Sequence, residues 1–340
     1  MHSAVCDVAI VGAGMAGASA ACTLTQHGHR VTVFDKSRGP GGRMSTRQRE
    51  GWQADHGAQY FTVKDPIFAQ MVAQWQQWSW VAPWSGRVAK RAAAPPHAIA
   101  RSDSISRWVS VPTMPRLAQQ LLTHAVFQGG CTVVGIDRTA TGRWQLHSAE
   151  QGAHTQTFDA VLLALPLPQL APFAGHVPPP WIEQWQRIQF EPCWAGMLRF
   201  DQSVPLAFDG LFANHPVLQW VARTLSKPSR QGAETWTLHA TPAFSRRHLE
   251  SSADEIAAQL CQAWTELGGP TPNECVVHRW RYALAVTSEP TWPTALSFWD
   301  RTQQLGVCGD WLAGGRVEGA WCSGHDAAIQ LTAGDGVGCP

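Results

Sequence analysis

Two stretches near the start of this sequence have residue types and spacing suited to binding a dinucleotide. The first is Gly12-Ala13-Gly14-Met15-Ala16-Gly17, with Asp35 following 18 residues beyond Gly17. Glycines at this spacing let backbone approach a pyrophosphate. The N-terminus of a following helix adds N–H groups and a positive dipole end, and an acid at the end of the next strand can hold a ribose hydroxyl. The second stretch is Lys36-Ser37-Arg38-Gly39-Pro40-Gly41-Gly42-Arg43-Met44-Ser45-Thr46. A nicotinamide-binding domain has no special need of this second glycine-rich loop. A tightly kept FAD, in its extended form, needs its two phosphate charges offset and backbone passing close by, so the loop points to FAD. The bland alternative for the same run is a solvated basic loop.

Both stretches must be carried by a strand–helix–strand unit, and the pattern supplies one. Val5 to Val11 is rich in β-branched residues and bounded by glycine, which predicts a buried parallel strand. A helix over Ala18 to Gln26 follows, ended by Gly28, and a second strand over Arg30 to Phe34 stops at Asp35. Strand, G-x-G-x-x-G, helix, strand and acid in this order are more specific than the glycines alone.

Further along, Phe68, Met71, Val72, Trp75 and Trp78 recur at helical spacing, predicting an amphipathic helix over 66 to 80. Residues 84 to 105, rich in Pro, Ala and Ser, read as an irregular connection, and a helix is expected from Pro115 to Phe127. The period then changes to two. Cys131 to Ile136, Trp144 to His147 and Thr155 to Leu163 predict a β-meander followed by a buried strand. Apolar runs at Trp194 to Phe200, Val217 to Ala222 and Thr235 to His239 suggest an antiparallel sheet. A helix over Asp254 to Leu267, a strand over Gly306 to Asp310 and a helix from Gly319 to about Leu331 complete the reading.

Composition narrows the function classes. The 340 residues easily support a packed core, hydrophobic residues make up 44% and charged residues only 15%, and 18 residues are Trp. Lys+Arg 26 against Asp+Glu 25 leaves a net charge of +1, without the basic footprint of a nucleic-acid binder. No apolar run is long enough for a spanning helix, and residues 4 to 24 lack the basic start of a secretion signal. The nine cysteines are scattered, with no C-x-x-C and no zinc spacing, so the expectation is no metal, free thiols and a cytoplasmic location.

The glycine motif followed by Gly41-Gly42-Arg43 resembles the flavin-containing amine oxidase superfamily, and Asp55-His56-Gly57-Ala58-Gln59-Tyr60-Phe61 resembles its renalase-like branch. Trp220-Val221-Ala222-Arg223 with Ser226-Lys227-Pro228, then His278-Arg279-Trp280-Arg281-Tyr282, and Gly309-Asp310-Trp311-Leu312-Ala313-Gly314-Gly315-Arg316-Val317-Glu318-Gly319-Ala320-Trp321 resemble that branch too. Thr113 in Val111-Pro112-Thr113-Met114 departs from it, standing where the branch has Gly.

The resemblance implies an α/β fold, with a Rossmann-like FAD-binding domain interleaved with a smaller α+β substrate domain that carries an antiparallel sheet. Val161-Leu162-Leu163-Ala164-Leu165-Pro166 resembles the return strand of the flavin domain, and the prolines from Pro166 to Pro180 mark a crossing to the second domain. The expected FAD domain is 1–65, 106–166 and 300–335, and the substrate domain 66–105 and 167–299.

By the same resemblance non-covalent FAD is held by Gly12, Ala13, Gly14, Met15, Ala16, Asp35, Lys36, Arg38, Gly42, Arg43, Met44, Val134, Asp310, Ala320 and Trp321. The helix containing Ala320 points its N-terminus at the pyrimidine edge of the flavin, where the reduced form carries negative charge. Cys322 beside it invites a covalent reading that the resemblance opposes.

A substrate pocket is implied from Gln59, Tyr60, Trp220, Arg223, His239, Trp280, Arg281 and Tyr282. Of these, Tyr60, His239, Trp280 and Arg281 are the candidates nearest the chemistry. A planar heteroaromatic substrate would stack on the aromatics, with Arg on its phosphates or amide. Individually, each Trp reads equally as core, Arg281 as a structural ion pair and His239 as a satisfied core histidine.

Amine oxidases of the superfamily hold a Lys against the flavin through water. Of the four lysines, Lys36, Lys64, Lys90 and Lys227, none sits in an obvious counterpart. The implied function is therefore oxidation of aberrant reduced nicotinamides, the 2- and 6-dihydro isomers of NAD(P), with O2 as acceptor and hydrogen peroxide as product. The alternatives are an amine oxidase, a related flavin desaturase, and a flavin-bound binding protein without catalysis.

Overall fold

The computed structural model describes residues 5–92, 99–101, 104–288, 292 and 295–333. The chain forms two compact units, one of residues 1–42, 117–189 and 285–340, the other of 43–116 and 190–284.

The first unit is built on a six-stranded sheet in the order Ser297–Asp300, Leu305–Cys308, Ala160–Leu163, Asp7–Val11, Arg30–Asp35, Val126–Gly129. All neighbours are parallel except the first pair. Ile10 lies opposite Val33 on one side and Leu162 on the other. The central strands read as unbroken apolar runs because other elements pack over the sheet, two helices on it and the Gly152–Phe158 strand against it where Phe158 meets Phe34 edge-on at 5.8 Å. The Met15–Gln26 helix lies against the Val317–Thr332 helix, where Ser19 Oγ donates to the Trp321 carbonyl at 2.8 Å and a Cβ at Gly324 would stand 2.0 Å from the Ala16 carbonyl oxygen. Gly324 is what permits that close crossing.

An antiparallel meander of Val133–Arg138, Trp144–Ser148 and Gly152–Phe158 completes the expected pattern. The helix expected over Pro115 to Phe127 spans only Arg116–Leu121, and Val126–Gly129 is the parallel edge strand beside Arg30–Asp35. Tertiary pairing, with Thr32 opposite Val126, overrides the local apolar spacing there.

The second unit has a seven-stranded sheet in the order Glu274–Thr287, Ile188–Phe200, Glu234–Ala240, Leu218–Arg223, Gly210–Phe212, Val88–Arg91, Ile99–Arg101. Its three expected strands pair antiparallel, with Ala195 opposite His239 and Trp220 opposite His239 from the other side. The Ala253–Glu266 helix starts with a capping box between Ser252 and Glu255 and lays Ile256, Leu260, Ala263 and Trp264 on the sheet core. Trp236 and Trp264 meet there with ring centres 5.1 Å apart.

These divisions differ from the boundaries drawn on the sequence. Residues 43–65 and 106–116 lie in the second unit, where Asp55 is bound by residues near 230. Residues 167–189 stay in the first, where Trp185 packs edge-on against Trp311 at 5.2 Å. The prolines from Pro166 to Pro180 thus open a 3-10 turn and the short Pro179–Trp185 helix within that unit. Seven described cysteines are free thiols, whereas Cys6 is disulfide-bonded, against the expectation of free thiols throughout. Cys339 lies outside the described residues.

Candidate functional site

The glycine turn of the first unit separates packing from binding. Gly12 has φ +108 and a Cβ there would stand 2.4 Å from the Ala164 carbonyl oxygen, while a Cβ on Gly17 would stand 1.9 Å from the Gly12 carbonyl oxygen. Only glycine fits at either position. Gly14 is different, with φ −72 and nothing within 4 Å of its Cβ position. The protein itself tolerates a side chain at Gly14, so the open space in front of the turn is where an outside group fits. Gly14 is also the N-cap of the Met15–Gln26 helix and gives no side-chain cap, which leaves the first-turn N–H groups of Met15 and Ala16 suited to phosphate oxygens.

The second glycine loop lies on this turn. Gly41 N donates to the Ala13 carbonyl at 2.8 Å, and a Cβ on Gly42, at φ +52, would be 3.1 Å from the Gly14 Cα. Asp35 ends its strand with Oδ2 accepting from Ala13 N and Oδ1 accepting from Ser37 N, each at 2.7 Å. A carboxylate has about four acceptor sites, so two remain for ribose hydroxyls. Lys36 and Arg38 are exposed on the loop that follows.

At the same carboxyl edge of the sheet, two strands along, Asp310 is buried in a 3-10 turn after the Leu305–Cys308 strand, and its carbonyl accepts from Ala313 N and Gly315 N. The Val317–Thr332 helix carries Ala320 and Trp321 in its first turns and has no side-chain cap from Arg316. Val134, in the meander, is 46% exposed.

Arg43 and Met44 belong to the second unit. Arg43 donates Nη1 to the Ala283 carbonyl at 3.3 Å, and its guanidinium lies 5.9 Å from the centre of the Phe190 ring. Met44 is buried.

The remaining candidates of the second unit fall into separate groups. Gln59 is in a fully buried charged cluster. Asp55 Oδ2 accepts from Lys227 Nζ at 3.0 Å and Arg230 Nη2 at 2.9 Å, Asp55 Oδ1 accepts from Thr46 Oγ1 at 2.5 Å, and Lys227 Nζ also donates to Gln59 Oε1 at 3.0 Å. None of the three charged side chains has any exposed area. Burial would raise the Asp55 carboxyl, but Lys227 and Arg230 outweigh it and hold it at about 2. Two cations face one carboxylate, so the surplus charge falls on the weaker one. Burial, with Arg230 alongside, pushes Lys227 down to about 8 against the pull of Asp55.

Tyr60 and Trp220 share an aromatic group with Trp84 and Phe212. Tyr60 and Trp220 meet edge-on at 5.6 Å, Phe212 and Trp220 at 4.7 Å, and the Arg107 guanidinium sits 5.1 Å from the Tyr60 ring centre. The buried Trp220 Nε1 has no hydrogen-bond partner among the described residues.

His239 and Trp280 converge on one carbonyl, that of His56, which accepts from His239 Nε2 at 3.3 Å and Trp280 Nε1 at 3.0 Å. A carbonyl only accepts, so His239 carries its proton on Nε2. Burial holds His239 down to about 4, so the ring is neutral at physiological pH with a bare Nδ1. Trp280 stacks on His56 at 5.3 Å and meets His278 edge-on at 4.3 Å. Burial, with neighbouring positive groups, lowers His56 to about 3 and His278 to about 4. His56 Nδ1 is buried and has no hydrogen-bond partner among the described residues.

Arg223, Arg281 and Tyr282 stand apart from these groups. Arg223 makes a two-pronged pair with Glu234, Nε and Nη2 each 2.8 Å from a carboxylate oxygen. Arg281 pairs with Glu250 at 2.6 Å on the surface, and Tyr282 meets Phe190 edge-on at 6.0 Å. Asp55, His56, Lys227, Arg230 and Trp84 are the polar and aromatic residues that the sequence list left out. An Asp inside the strand pattern of Trp52–Asp55 signals a buried charge that needs a cation. The sequence does not say which cation.

Comparison with known proteins decides the family. Residues 10–75 match the NAD(P)-binding Rossmann-like domain, and residues 103–332 match the flavin containing amine oxidoreductase family. The chain belongs to the flavin-containing amine oxidoreductase family. Its cofactor is FAD, and the open turn at Gly14, the uncapped helix start and the free acceptor sites of Asp35 fit that cofactor.

The L-amino-acid oxidase of Daboia russelii is 43% identical over 67 residues, 19% of this chain and 13% of that oxidase. A 4,4'-diapophytoene desaturase of Staphylococcus haemolyticus is 43% identical over 58 residues, 17% of this chain and 12% of the desaturase. The chain thus spans only about an eighth of the curated relatives it matches. Among solved structures, an Exiguobacterium sp. 255-15 protein provisionally described as a protoporphyrinogen oxidase aligns with TM-score 0.72 at 14% identity, covering 97% of this chain and 99% of that one. Putrescine oxidase bound to putrescine aligns with TM-score 0.68 at 13% identity, covering 97% and 99%. At these identities the likeness is one of fold. Among the described residues no helix is long and apolar enough to cross a membrane, and no group of His, Cys, Asp and Glu could hold a metal ion.

Proposed function

We propose that this member of the family is a non-covalent FAD-dependent oxidase of aberrant reduced nicotinamides, the 2- and 6-dihydro isomers of NAD(P), giving NAD(P)+ and hydrogen peroxide. The observation that carries the reading is Lys227. Of the four lysines, Lys36, Lys64 and Lys90 are exposed, and buried Lys227 donates to Asp55 and Gln59. An amine is oxidised only after losing its proton, which calls for a lysine-held water or an equivalent base. A dihydropyridine needs neither, because its ring nitrogen lone pair drives hydride out and leaves an aromatic cation.

FAD, when bound, would supply the two-electron acceptor of the reaction. The chain's own residues bind and orient. The Gly14 turn and the N–H groups of Met15 and Ala16 take the pyrophosphate, Asp35 the ribose, and Asp310 with the helix start before Ala320 and Trp321 the ribityl and pyrimidine side. In the second unit Tyr60, Trp220 and Trp280 offer faces for a planar ring. The unpartnered Trp220 Nε1 offers a donor for the substrate amide, and neutral His239 orients without exchanging a proton.

Two matched relatives, named as an L-amino-acid oxidase and a desaturase, favour a second reading as an amine oxidase or desaturase. Anaerobic mixing of the FAD-loaded protein with 2-dihydro-NAD, 6-dihydro-NAD, benzylamine and putrescine separates the readings. Rapid loss of yellow colour with the dihydronicotinamides alone is expected. Bleaching by the amines alone supports the second reading, and no bleaching by any donor supports a flavin-bound binding protein.

A further inference from the structure

The two arginines that the sequence offered for substrate phosphates, Arg223 and Arg281, are paired with Glu234 and Glu250. The register of the seven-stranded sheet points to a different cation. Lys90 stands opposite Phe212, Phe212 opposite Trp220, and Trp220 opposite His239. Directly paired residues share a face of a sheet, so these four side chains form one row across four strands. The neighbouring row of Ala89, Leu211, Val221 and Leu238 faces the other way, into the apolar core shared with the Ala253–Glu266 helix. We propose that Lys90 holds a phosphate of the substrate in a cavity at the end of this row, which makes the site selective for nucleotides over unphosphorylated dihydropyridines. The inference rests on the dihydronicotinamide reading and adds to it the substrate class and the residue that selects it.

A cavity of about 570 Å³ opens at the Lys90 end of the row, with Lys90, Phe212, Asn214, His215 and Gln219 in its lining. Its size lies within the range of about 300–1,000 Å³ that small-molecule sites occupy. Two departures from regular strand shape the rim. Gln219 is an extra residue between the Leu218–Ala240 and Trp220–His239 pairs, a bulge that takes it out of the ladder. Asn214 has φ +42, and its Nδ2 donates to the Arg91 carbonyl, tying that turn to the strand that carries Lys90.

The polar groups of the rim divide into those the fold uses and those it leaves. His215 Nε2 meets Glu266 at 2.8 Å, and Thr241 Oγ1 donates to the Pro216 carbonyl at 2.9 Å. Among the described residues no hydrogen bond or ion pair engages the Lys90 ammonium or the Gln219 side-chain amide. A cation and an amide are thus left beside the Phe212 ring, which meets Trp220 with ring centres 4.7 Å apart. Lysine presents a compact charge with rotatable donors, and the glutamine amide can donate to a second oxygen of the same phosphate.

The span also fits. Adjacent strands lie about 4.8 Å apart, so the two steps from Trp220 to Lys90 cover about 10 Å, less what the lysine stem reaches back. That is the scale of a nucleotide from its base to its 5′-phosphate. With the nicotinamide ring at Trp220, whose Nε1 has no partner among the described residues, the ribose falls at Phe212 and the phosphate at Lys90. A dihydronicotinamide without the phosphate would fill the aromatic end of the row and leave the cation unused.

The test measures anaerobic flavin reduction of the FAD-loaded protein by 6-dihydro-NAD, 6-dihydronicotinamide mononucleotide and 6-dihydronicotinamide riboside, the last without phosphate. Lys90→Gln should raise the half-saturating concentration of the two phosphorylated donors about five- to tenfold, the effect falling on saturation and not on the limiting rate. The riboside should respond little, and Lys90→Arg should restore saturation by the phosphorylated donors. Equal shifts for riboside and mononucleotide, or no shift for any donor, would overturn the proposal. Calorimetric titration with NAD+ and nicotinamide riboside gives a readout that does not need turnover. If no dihydronicotinamide bleaches the flavin, the oxidase reading falls by itself and this titration decides the site. NAD+ binding that is tighter than riboside binding and weakened in Lys90→Gln supports it, whereas NAD+ binding that is absent or indifferent to Lys90 overturns it.

Discussion

Helices in the two units begin in different ways. In the second unit Asp65 caps the Pro66–Gln77 helix by accepting from Ile67 N at 2.9 Å and Phe68 N at 2.8 Å, Thr241 caps Pro242–Arg247, and Ser252 caps Ala253–Glu266. In the first unit the Met15–Gln26 and Val317–Thr332 helices begin at Gly14 and Arg316, neither of which gives a side-chain cap. Backbone donors at a helix start must find partners. The second unit supplies them from its own side chains, and at these two starts the first unit's cap residues supply none. Charge follows the same division, because Asp55, Lys227 and Arg230 satisfy one another in the second unit. One region is shaped by what it binds, the other by what it encloses.

Gly14→Val probes that contrast most strongly. The Gly14 backbone lies in the extended region and its Cβ position meets no protein atom, so the apo-protein should keep its melting temperature within about 0.5 kcal/mol of stability. FAD should be lost and the protein purify colourless. Gly17→Ala is the opposite case, its Cβ falling 1.9 Å from the Gly12 carbonyl oxygen, and should cost about 1–3 kcal/mol of overpacking. A yellow Gly14→Val protein with a normal flavin spectrum would end the assignment of this turn to the pyrophosphate.

Asp55→Asn addresses the enclosed side. It leaves two buried cations without a carboxylate and should destabilise by about 3–5 kcal/mol in urea titration. Lys227→Met removes the surplus cation and strands only Gln59 Oε1, so about 1–3 kcal/mol is expected. Equal losses in the two variants would mean that Lys227, and not Arg230, is the partner that matters to Asp55.

The same contrast explains what could be read from sequence. Gly12, Gly14, Gly17 and Asp35 act within one strand–helix–strand unit, so their spacing reports their geometry, and the fold of that unit was legible there. Asp55 meets Lys227 across 172 residues of chain, and no local pattern records such a pairing. Trp181 and Trp185 fall inside the substrate domain drawn on the sequence, and only the fold shows Phe298 and Trp311 against them. Arg223 and Arg281 were candidates for substrate phosphates, and only the fold shows Glu234 and Glu250 beside them.

Acid titration offers a smaller effect on the enclosed cluster. Asp55 has a folded-state value of about 2 against 3.8 for the free group, so its contribution is complete above about pH 4 and is lost as pH falls through 2. The difference amounts to about 2 kcal/mol. Stability measured from pH 5 down to 2 should fall by about that much more in the wild type than in Asp55→Asn. Parallel curves for the two proteins would show that Asp55 is not the carboxylate whose protonation weakens the fold.

The smallest expected effect is a pH profile that stays flat. A dihydropyridine nitrogen does not titrate near neutrality, and His56, His239 and His278, held at about 3, 4 and 4, stay neutral above pH 6. Anaerobic flavin reduction by 2- or 6-dihydro-NAD should therefore vary less than about twofold between pH 6 and 7.5. Lys227, at about 8, is the group that could bend the profile above that range, since deprotonation there removes a buried positive charge from the cluster around Gln59. Any inflection near pH 8 should be absent in Lys227→Met, whose flavin still binds to the first unit. His239→Ala should weaken substrate binding or slow reduction without adding a pH dependence, because a neutral ring that donates to the His56 carbonyl positions its neighbours and moves no proton. An amine with a pKa near 10.4 behaves differently, its reactive fraction rising about tenfold per pH unit through this range. A reduction rate that climbs in that way with benzylamine or putrescine, beside none with the dihydronicotinamides, would transfer the chemistry to amines and leave the Gly14 cradle intact.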